Sequence, residues 1–180
     1  MPRQVLFIQG GGEAVHDRWD DKLVASLKGQ LGDGYNVAYP HMPDEADPHY
    51  AAWKAAILTA FDALDDGAVV VGHSIGASIL LHVLAEAPPK ATLGGLFLIA
   101  PPFIGDGGWP SDEMAPLTGF APAFPVFLYQ GTADDTVPAS HPGLYERLLP
   151  RVTLRHLTGR DHQLNNDLGD VARDISSLPA

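Results

Sequence analysis

The sequence predicts an α/β fold built on a mainly parallel sheet. Short apolar runs alternate with amphipathic helical patterns along the whole chain. The apolar runs are nearly continuous, as strands are when helices cover both faces of a parallel sheet. The length is that of one domain. With 180 residues, 46% apolar and 18% charged, the chain can bury a core without disulfides or a structural metal. Residues 1–180 are therefore read as a single domain.

The elements follow in order. Val5–Gln9 is a strand run that ends in Gly10-Gly11-Gly12. A helix is expected from Asp17, because Trp19, Leu23, Leu27 and Leu31 recur four apart. Asp20 and Asp21 fall in its first turn, where the helix dipole favours negative charge. Gly32 and Gly34 stop it, and Tyr35–Tyr39 is the second strand. A polar loop from His41 to Pro48 leads to a second helix marked by Tyr50, Trp53, Ile57, Phe61 and Leu64. Ala68–Val71 is the third strand. Ile75–Ala87 is a third helix, apolar on most sides and so well buried, ended by Pro88-Pro89. Leu93–Ala100 is the fourth strand. Residues 101–124 hold five prolines and four glycines, too many for a regular element, and read as a cap-like loop. Pro125–Tyr129 is the fifth strand. Ser140 as cap, with Pro142 in the first turn, opens a helix running to Leu149. Val152–Leu157 is the sixth strand, and Leu168, Val171, Ile175 and Leu178 mark the last helix.

Composition removes several function classes. The formal charge of −11 argues against nucleic acid or an anionic membrane as the main partner. The absence of cysteine excludes a disulfide scaffold, a thiolate zinc site and a cysteine nucleophile. The first apolar run, Val5–Ile8, is too short for a signal-peptide core, and no stretch approaches the roughly 20 apolar residues of a membrane span. A soluble cytoplasmic protein is the expectation.

In open α/β sheets the site lies at the carboxyl ends of the strands, so the loops there are searched for chemistry. After the third strand stands Gly72-His73-Ser74-Ile75-Gly76, a G-x-S-x-G turn between strand and helix. Such a turn is sharp, needs its glycines for close packing, and exposes the serine at a helix amino terminus. Read without function, it is a glycine-rich turn with a serine cap. A serine hydroxyl is nearly inert unless a base takes its proton and a third group orients the base. The loop after the fifth strand carries Gly131-Thr132-Ala133-Asp134-Asp135-Thr136-Val137-Pro138, and the loop after the sixth carries Gly159-Arg160-Asp161-His162. Ser74, Asp134 and His162 thus occur in the order Ser, Asp, His, each at the site face.

These motifs make the chain similar to the α/β-hydrolase superfamily. The resemblance covers nearly the whole chain and implies a minimal hydrolase fold, with six mainly parallel strands in the order 2-1-3-4-5-6 and helices on both faces. The first strand, Trp19, the Tyr39-Pro40-His41-Met42-Pro43 loop and Trp53 resemble the small serine hydrolases of the retinoblastoma-binding protein 9 group. The resemblance implies Ser74 as nucleophile, His162 as base and Asp134 as the orienting acid, with Asp135 the competitor. Asp161 stands where the family has a small residue, which brings a second carboxylate next to the base. His141 is the rival base. The oxyanion donors would be the amides of Ile75 and Gly11, with Gly12 the alternative to Gly11. His73 reads as a packing residue inside the turn, while His82 lies in a helix and His156 in a strand. His41 and His49 flank Asp44, Glu45 and Asp47 in a solvated loop that matches no metal-ligand spacing.

Residues 101–124 offer an aromatic and aliphatic lining, from which Phe103, Trp109 and Phe120 are the candidate substrate-binding side chains. Ala91–Glu146 contains no Lys or Arg, so a phosphorylated or coenzyme-A substrate would find no cation there. The expected activity is cleavage of a neutral, small-to-medium carboxylic ester through an acyl-enzyme on Ser74, with no cofactor. Two other classes are weighed. One is a thioesterase or amidase using the same residues. The other is a protein-binding module that keeps the hydrolase scaffold and has little activity.

Overall fold

The computed structural model describes residues 1–149 and 151–179. Six strands form one sheet: β1 (Arg3–Ile8), β2 (Tyr35–Ala38), β3 (Val69–His73), β4 (Gly95–Ile99), β5 (Val126–Gly131) and β6 (Val152–Leu157). They lie in the order β2-β1-β3-β4-β5-β6 and every pairing is parallel. The register sets Val5 beside both Val37 and Val69, Val70 beside Leu96, and Leu98 beside Leu128. Successive side chains of a strand point to opposite faces. Leu6, Ile8, Val70, Leu96, Leu98 and Leu128 therefore enter one core, while Val5, Phe7, Val71, Phe97, Ile99 and Tyr129 enter the other.

Five helices cover the two faces: α1 (Asp21–Leu31), α2 (Tyr50–Phe61), α3 (Ser74–Glu86), α4 (His141–Leu148) and α5 (Gly169–Ser176). Residues of α2, α3 and α4 join the first core, and residues of α1 and α5 join the second. Double coverage explains the unbroken apolar runs, since β3 and β4 are buried at every residue. The edge strands β2 and β6 are only partly buried. α3 is buried from Gly76 to Leu84, as its near-uniform apolarity demands.

Two local expectations need correction. Trp19 does not belong to the buried face of the first helix. It is 52% exposed, and Asp20 beside it is fully buried. Four-residue steps overshoot the 3.6-residue turn by about 40° each, so the row from Leu31 back to Trp19 winds off the core. A wide π turn at His16–Asp20 precedes α1 and turns Asp20 inward. The other correction concerns Ser140. It precedes α4 with helical dihedrals and makes no side-chain cap, although Pro142 does stand in the first turn.

The chain leaves β1 outward to β2 and returns to β3 on the other side of β1. The loops after β1 and β3 thus part company, and the crevice between their carboxyl ends is where this topology accommodates a ligand. Residues 101–124 form no helix or named strand but are tied down. Ser78 Oγ and Tyr145 OH both donate to the Pro102 carbonyl, at 2.5 and 2.9 Å. Among the described residues no helix is long and apolar enough to cross a membrane.

Candidate active site

Ser74 is the first residue of α3 and follows β3 without a loop. Its φ is +53°, a left-handed conformation that a non-glycine residue rarely adopts. Close packing enforces the bend. A Cβ at Gly76 would lie 1.8 Å from the Gln9 carbonyl oxygen, and one at Gly72 would lie 2.6 Å from Ala77 Cα. Ser74 therefore stands at the carboxyl edge of the sheet beside the loop that follows β1.

His162 meets Ser74 there. Its Nε2 lies 2.9 Å from Ser74 Oγ, and its Nδ1 lies 2.9 Å from Asp134 Oδ2. Asp134 also accepts from Gln130 Nε2 at 2.7 Å and from the amides of Thr136 and Val137 at 2.8 and 3.0 Å. Burial pushes this carboxyl up. The hydrogen bond from His162 and the two amides outweigh that and hold it at about 2. An ionised carboxylate only accepts, so Nδ1 carries the proton and Nε2 of a neutral ring accepts from the serine hydroxyl. The side chains of His162 and Asp134 are 9% and 1% exposed, so bulk water competes little for these bonds.

The competing residues are engaged elsewhere. Asp135 is exposed and only approaches Thr136 Oγ1, at 3.4 Å. Asp161 turns away from His162 into its own loop, where its carboxylate accepts from the Asn165 amide at 2.7 Å and its amide donates to Asn165 Oδ1 at 2.9 Å. His141 is a fastener: its Nδ1 accepts from the Phe103 amide at 2.8 Å, and burial pushes its pKa down, which suits a neutral acceptor. His82 bonds the Ser78 carbonyl within α3. His49 pairs with Glu113 at 2.8 Å, and His41 lies 3.8 Å from Glu45. Among the described residues no three His, Asp or Glu side chains converge as a metal site.

The loop after β1 lies against the serine turn. A Cβ at Gly11 would be 2.8 Å from Ile75 Cγ2, so only glycine lets this backbone approach so closely. The Gly12 amide is committed to the Glu45 carbonyl at 2.6 Å, whereas the Gly11 amide meets no acceptor among the described residues. Ile75 is the second residue of α3, in the first turn where amides lack intrahelical acceptors. Gln9 is fully buried and locks the loop, donating to Glu45 at 2.5 Å and accepting from the Met42 amide at 2.9 Å.

A pocket of about 310 Å³ opens beside Ile75, walled by Pro48, Ile79, Ile104, Trp109 and Met114, with Asp112 and Glu113 at its edge. Glu113 ties the loop to α2, accepting from the Tyr50 amide at 2.6 Å as well as meeting His49. Of the three candidate substrate-binding residues only Trp109 lines this pocket. Phe103 packs its ring on Tyr145, 5.1 Å between centroids. Phe120 lines a cavity of about 390 Å³ with Val126 and Val152, the first residues of β5 and β6, at the opposite end of the sheet from Ser74. The loop crosses that end before β5, which composition could not reveal.

The sequence model described as Alpha/beta hydrolase family matches residues 5–179. The chain belongs to this family. A search of curated protein sequences found no match. Solved structures agree on the fold of this alpha/beta hydrolase. The ydeN gene product from B. subtilis has a TM-score of 0.73 at 20% identity, covering 97% of this chain and 99% of that one. Est1E from Butyrivibrio proteoclasticus with ferulic acid bound has a TM-score of 0.70 at 15% identity, covering 96% and 86%. XC6422 from Xanthomonas campestris, described as an a/b serine hydrolase without lid, has a TM-score of 0.66 at 22% identity, covering 99% and 84%.

Proposed function

We propose that this alpha/beta hydrolase is a serine hydrolase that cleaves a neutral, small-to-medium carboxylic ester through an acyl-enzyme on Ser74. The observation that carries the reading is the hydrogen-bonded chain from Ser74 Oγ through His162 to Asp134, with both links at 2.9 Å. The left-handed Ser74 at the head of α3 supports it, because such strain is held where the hydroxyl must face a substrate.

His162 takes the Ser74 proton as Oγ bonds to the ester carbonyl carbon. Asp134 orients the ring and stabilises its cationic form. The Gly11 and Ile75 amides hold the resulting oxyanion; losing one such donor typically costs about 3–4 kcal/mol. The bond to the alcohol oxygen then breaks, and His162 delivers the proton to the leaving alcohol. Water repeats the sequence on the acyl-enzyme, releasing the acid and restoring Ser74. No cofactor enters these steps.

The pocket beside Ile75 supports a small-to-medium group, since about 310 Å³ is at the low end of ligand sites and Ile75, Ile79, Ile104, Trp109 and Met114 give it an apolar side. The absence of Lys and Arg from Ala91–Glu146 favours a neutral substrate. The small hydrolases of the retinoblastoma-binding protein 9 group are the subgroup it resembles, and a cytoplasmic setting fits the absence of cysteine.

The test is intact mass after treatment with a fluorophosphonate, which reacts with an activated serine. One adduct on the wild type and none on Ser74→Ala is expected. No adduct on folded wild-type protein would overturn the proposal. Matched ester, thioester and amide substrates then rank the leaving groups, and a preference for either of the latter two would overturn the ester assignment.

A further inference from the structure

A second buried His–Asp pair lies behind Ser74 and His162, and the proposed mechanism does not use it. Asp20 is 0% exposed and His73 is 2% exposed. His73 Nδ1 lies 2.9 Å from Asp20 Oδ2, and His73 Nε2 lies 3.2 Å from the carbonyl oxygen of His162. Both partners are acceptors, a carboxylate and a carbonyl. A neutral imidazole has one N–H and satisfies only one of them. Against an ionised Asp20, meeting both takes the doubly protonated ring; against a protonated Asp20, a neutral ring meets both as well, accepting the Asp20 O–H at Nδ1 and donating from Nε2. In either case Asp20 Oδ1 has no hydrogen-bond partner among the described residues.

The same Asp20 Oδ2 accepts from the Gly10 amide at 2.7 Å. One carboxylate and one ring thereby join three segments: the loop after β1, the last residue of β3 just before Ser74, and the loop that carries His162. The His73 and His162 rings are 4.9 Å apart. The energetics of His73 agree. Burial pulls its pKa down, but the charge and hydrogen bond of Asp20 outweigh that and raise it, aided by the His162 carbonyl and the charge of Asp134. Buried pairs of this kind often add little stability compared with apolar replacements, so stability alone does not account for one that joins two loops and a strand end of a site.

We propose that His73, hydrogen-bonded to Asp20, is a positioning residue that sets the spacing between the His162 loop, the Ser74 turn and the Gly10–Gly11 backbone. This rests on Ser74 and His162 being nucleophile and base. The pair itself touches no substrate and acts through the His162 carbonyl and the Gly10 amide.

Two measurements test it. The first is long-range 1H–15N NMR of histidine-labelled wild type, with the His73 signals assigned by His73→Gln. His73 Nε2 should carry a proton, in its bond to the His162 carbonyl, throughout pH 6 to 8; an unprotonated Nε2 at pH 7 overturns the proposal. The second is the fluorophosphonate labelling rate, together with ester kcat and KM, for wild type, His73→Ala and the double variant that combines Asp20→Asn with His73→Gln. His73→Ala should lose about 100-fold in labelling rate and kcat, as a misplacement near 1 Å does, with KM little changed. In the double variant the new glutamine N–H reaches the His162 carbonyl. The asparagine side chain that replaces Asp20 keeps an oxygen for the Gly10 amide, but the two bonds made by the single Asp20 Oδ2 cannot both be kept on it. This variant should recover part of that loss without any charge. Wild-type labelling rates in His73→Ala would overturn the positioning role while leaving Ser74 as nucleophile. An unlabelled wild type would instead overturn the nucleophile assignment. If His73→Ala does not fold, the double variant and the NMR result decide: a folded double variant labelling as slowly as an inert control overturns the proposal.

Discussion

Gly76→Ala is a one-methyl change with a large expected effect. The added Cβ would sit 1.8 Å from the Gln9 carbonyl oxygen, 2.9 Å from its carbon and 3.3 Å from Ile8 Cγ2. An ordinary carbon–oxygen contact is about 3.3 Å or more, so roughly 1.5 Å of overlap must be relieved. The neighbour is backbone, and it is held. Gln9 is fully buried and locked to Glu45 and Met42, and the next amide, of Gly10, is held by Asp20. Relief therefore pushes the loop after β1 away from the serine turn and carries Gly11 with it. Overpacking of this severity belongs at the upper end of the usual range, about 3 kcal/mol, which lowers Tm by about 6–12 °C in a chain of this size. Under the proposed function, moving the Gly11 amide by about 1 Å should cost about 100-fold in kcat, with a smaller effect on KM. Gly29→Ala is the internal control. It lies in α1 with nothing within 4 Å of the new Cβ, so Ala should stabilise the helix by up to about 1 kcal/mol and leave kcat alone. Thermal unfolding and ester kinetics on both variants decide the matter. If Gly76→Ala kept wild-type Tm and kcat, the argument from turn packing would be refuted.

Two further predictions address the acid and the core. Asp134→Asn should lower kcat by about 10⁴-fold, because the amide no longer orients the ring as the carboxylate does. The folded carboxyl is held at about 2, below its ordinary 3.8. Its stabilising contribution is therefore fully present above about pH 4 and lost as pH falls towards 2, at most about 2 kcal/mol. Denaturant unfolding of wild type and Asp134→Asn at pH 6 and pH 2.5 should show wild type losing the larger amount, and equal losses would contradict the assignment. Trp53→Ala removes a fully buried ring whose Nε1 donates to the Pro43 carbonyl at 2.7 Å. It should cost about 3–5 kcal/mol by chemical denaturation, and a loss under about 1 kcal/mol would show that the 41–48 loop does not lean on this ring.

Much of the fold was legible because strand periodicity and double coverage leave a local signature. Val69-Val70-Val71 and Leu96-Phe97-Leu98-Ile99 read as strands from apolarity alone, and both are wholly buried. Ser74, Asp134 and His162 were legible for a related reason: each stands just past a strand end whose glycines or prolines mark a tight turn. Residues 101–124 were not legible in this way. Phe120 and Trp109 look alike in a stretch without period, yet one lies at the amino ends of β5 and β6 and the other lines the pocket beside Ile75. Asp20 shows the same limit. In sequence it is a first-turn acid at a helix start, and only the π turn before α1 points it at His73.

By itself the sequence determined the kind of architecture, the strand-end loops that carry chemistry, and the residue types available for it, because these depend on periodicity and turn stereochemistry over a few neighbours. Only the tertiary structure decided which acid meets His162, which glycine amide stays free among the described residues, which aromatic lines the pocket, and that Asp20 and His73 join two loops to the end of β3. Those outcomes turn on ångström-scale distances between segments tens of residues apart: 28 between Asp134 and His162, 53 between Asp20 and His73, 88 between Ser74 and His162. Contacts across such separations are set by how the whole sheet and its helices pack, and no local pattern encodes them.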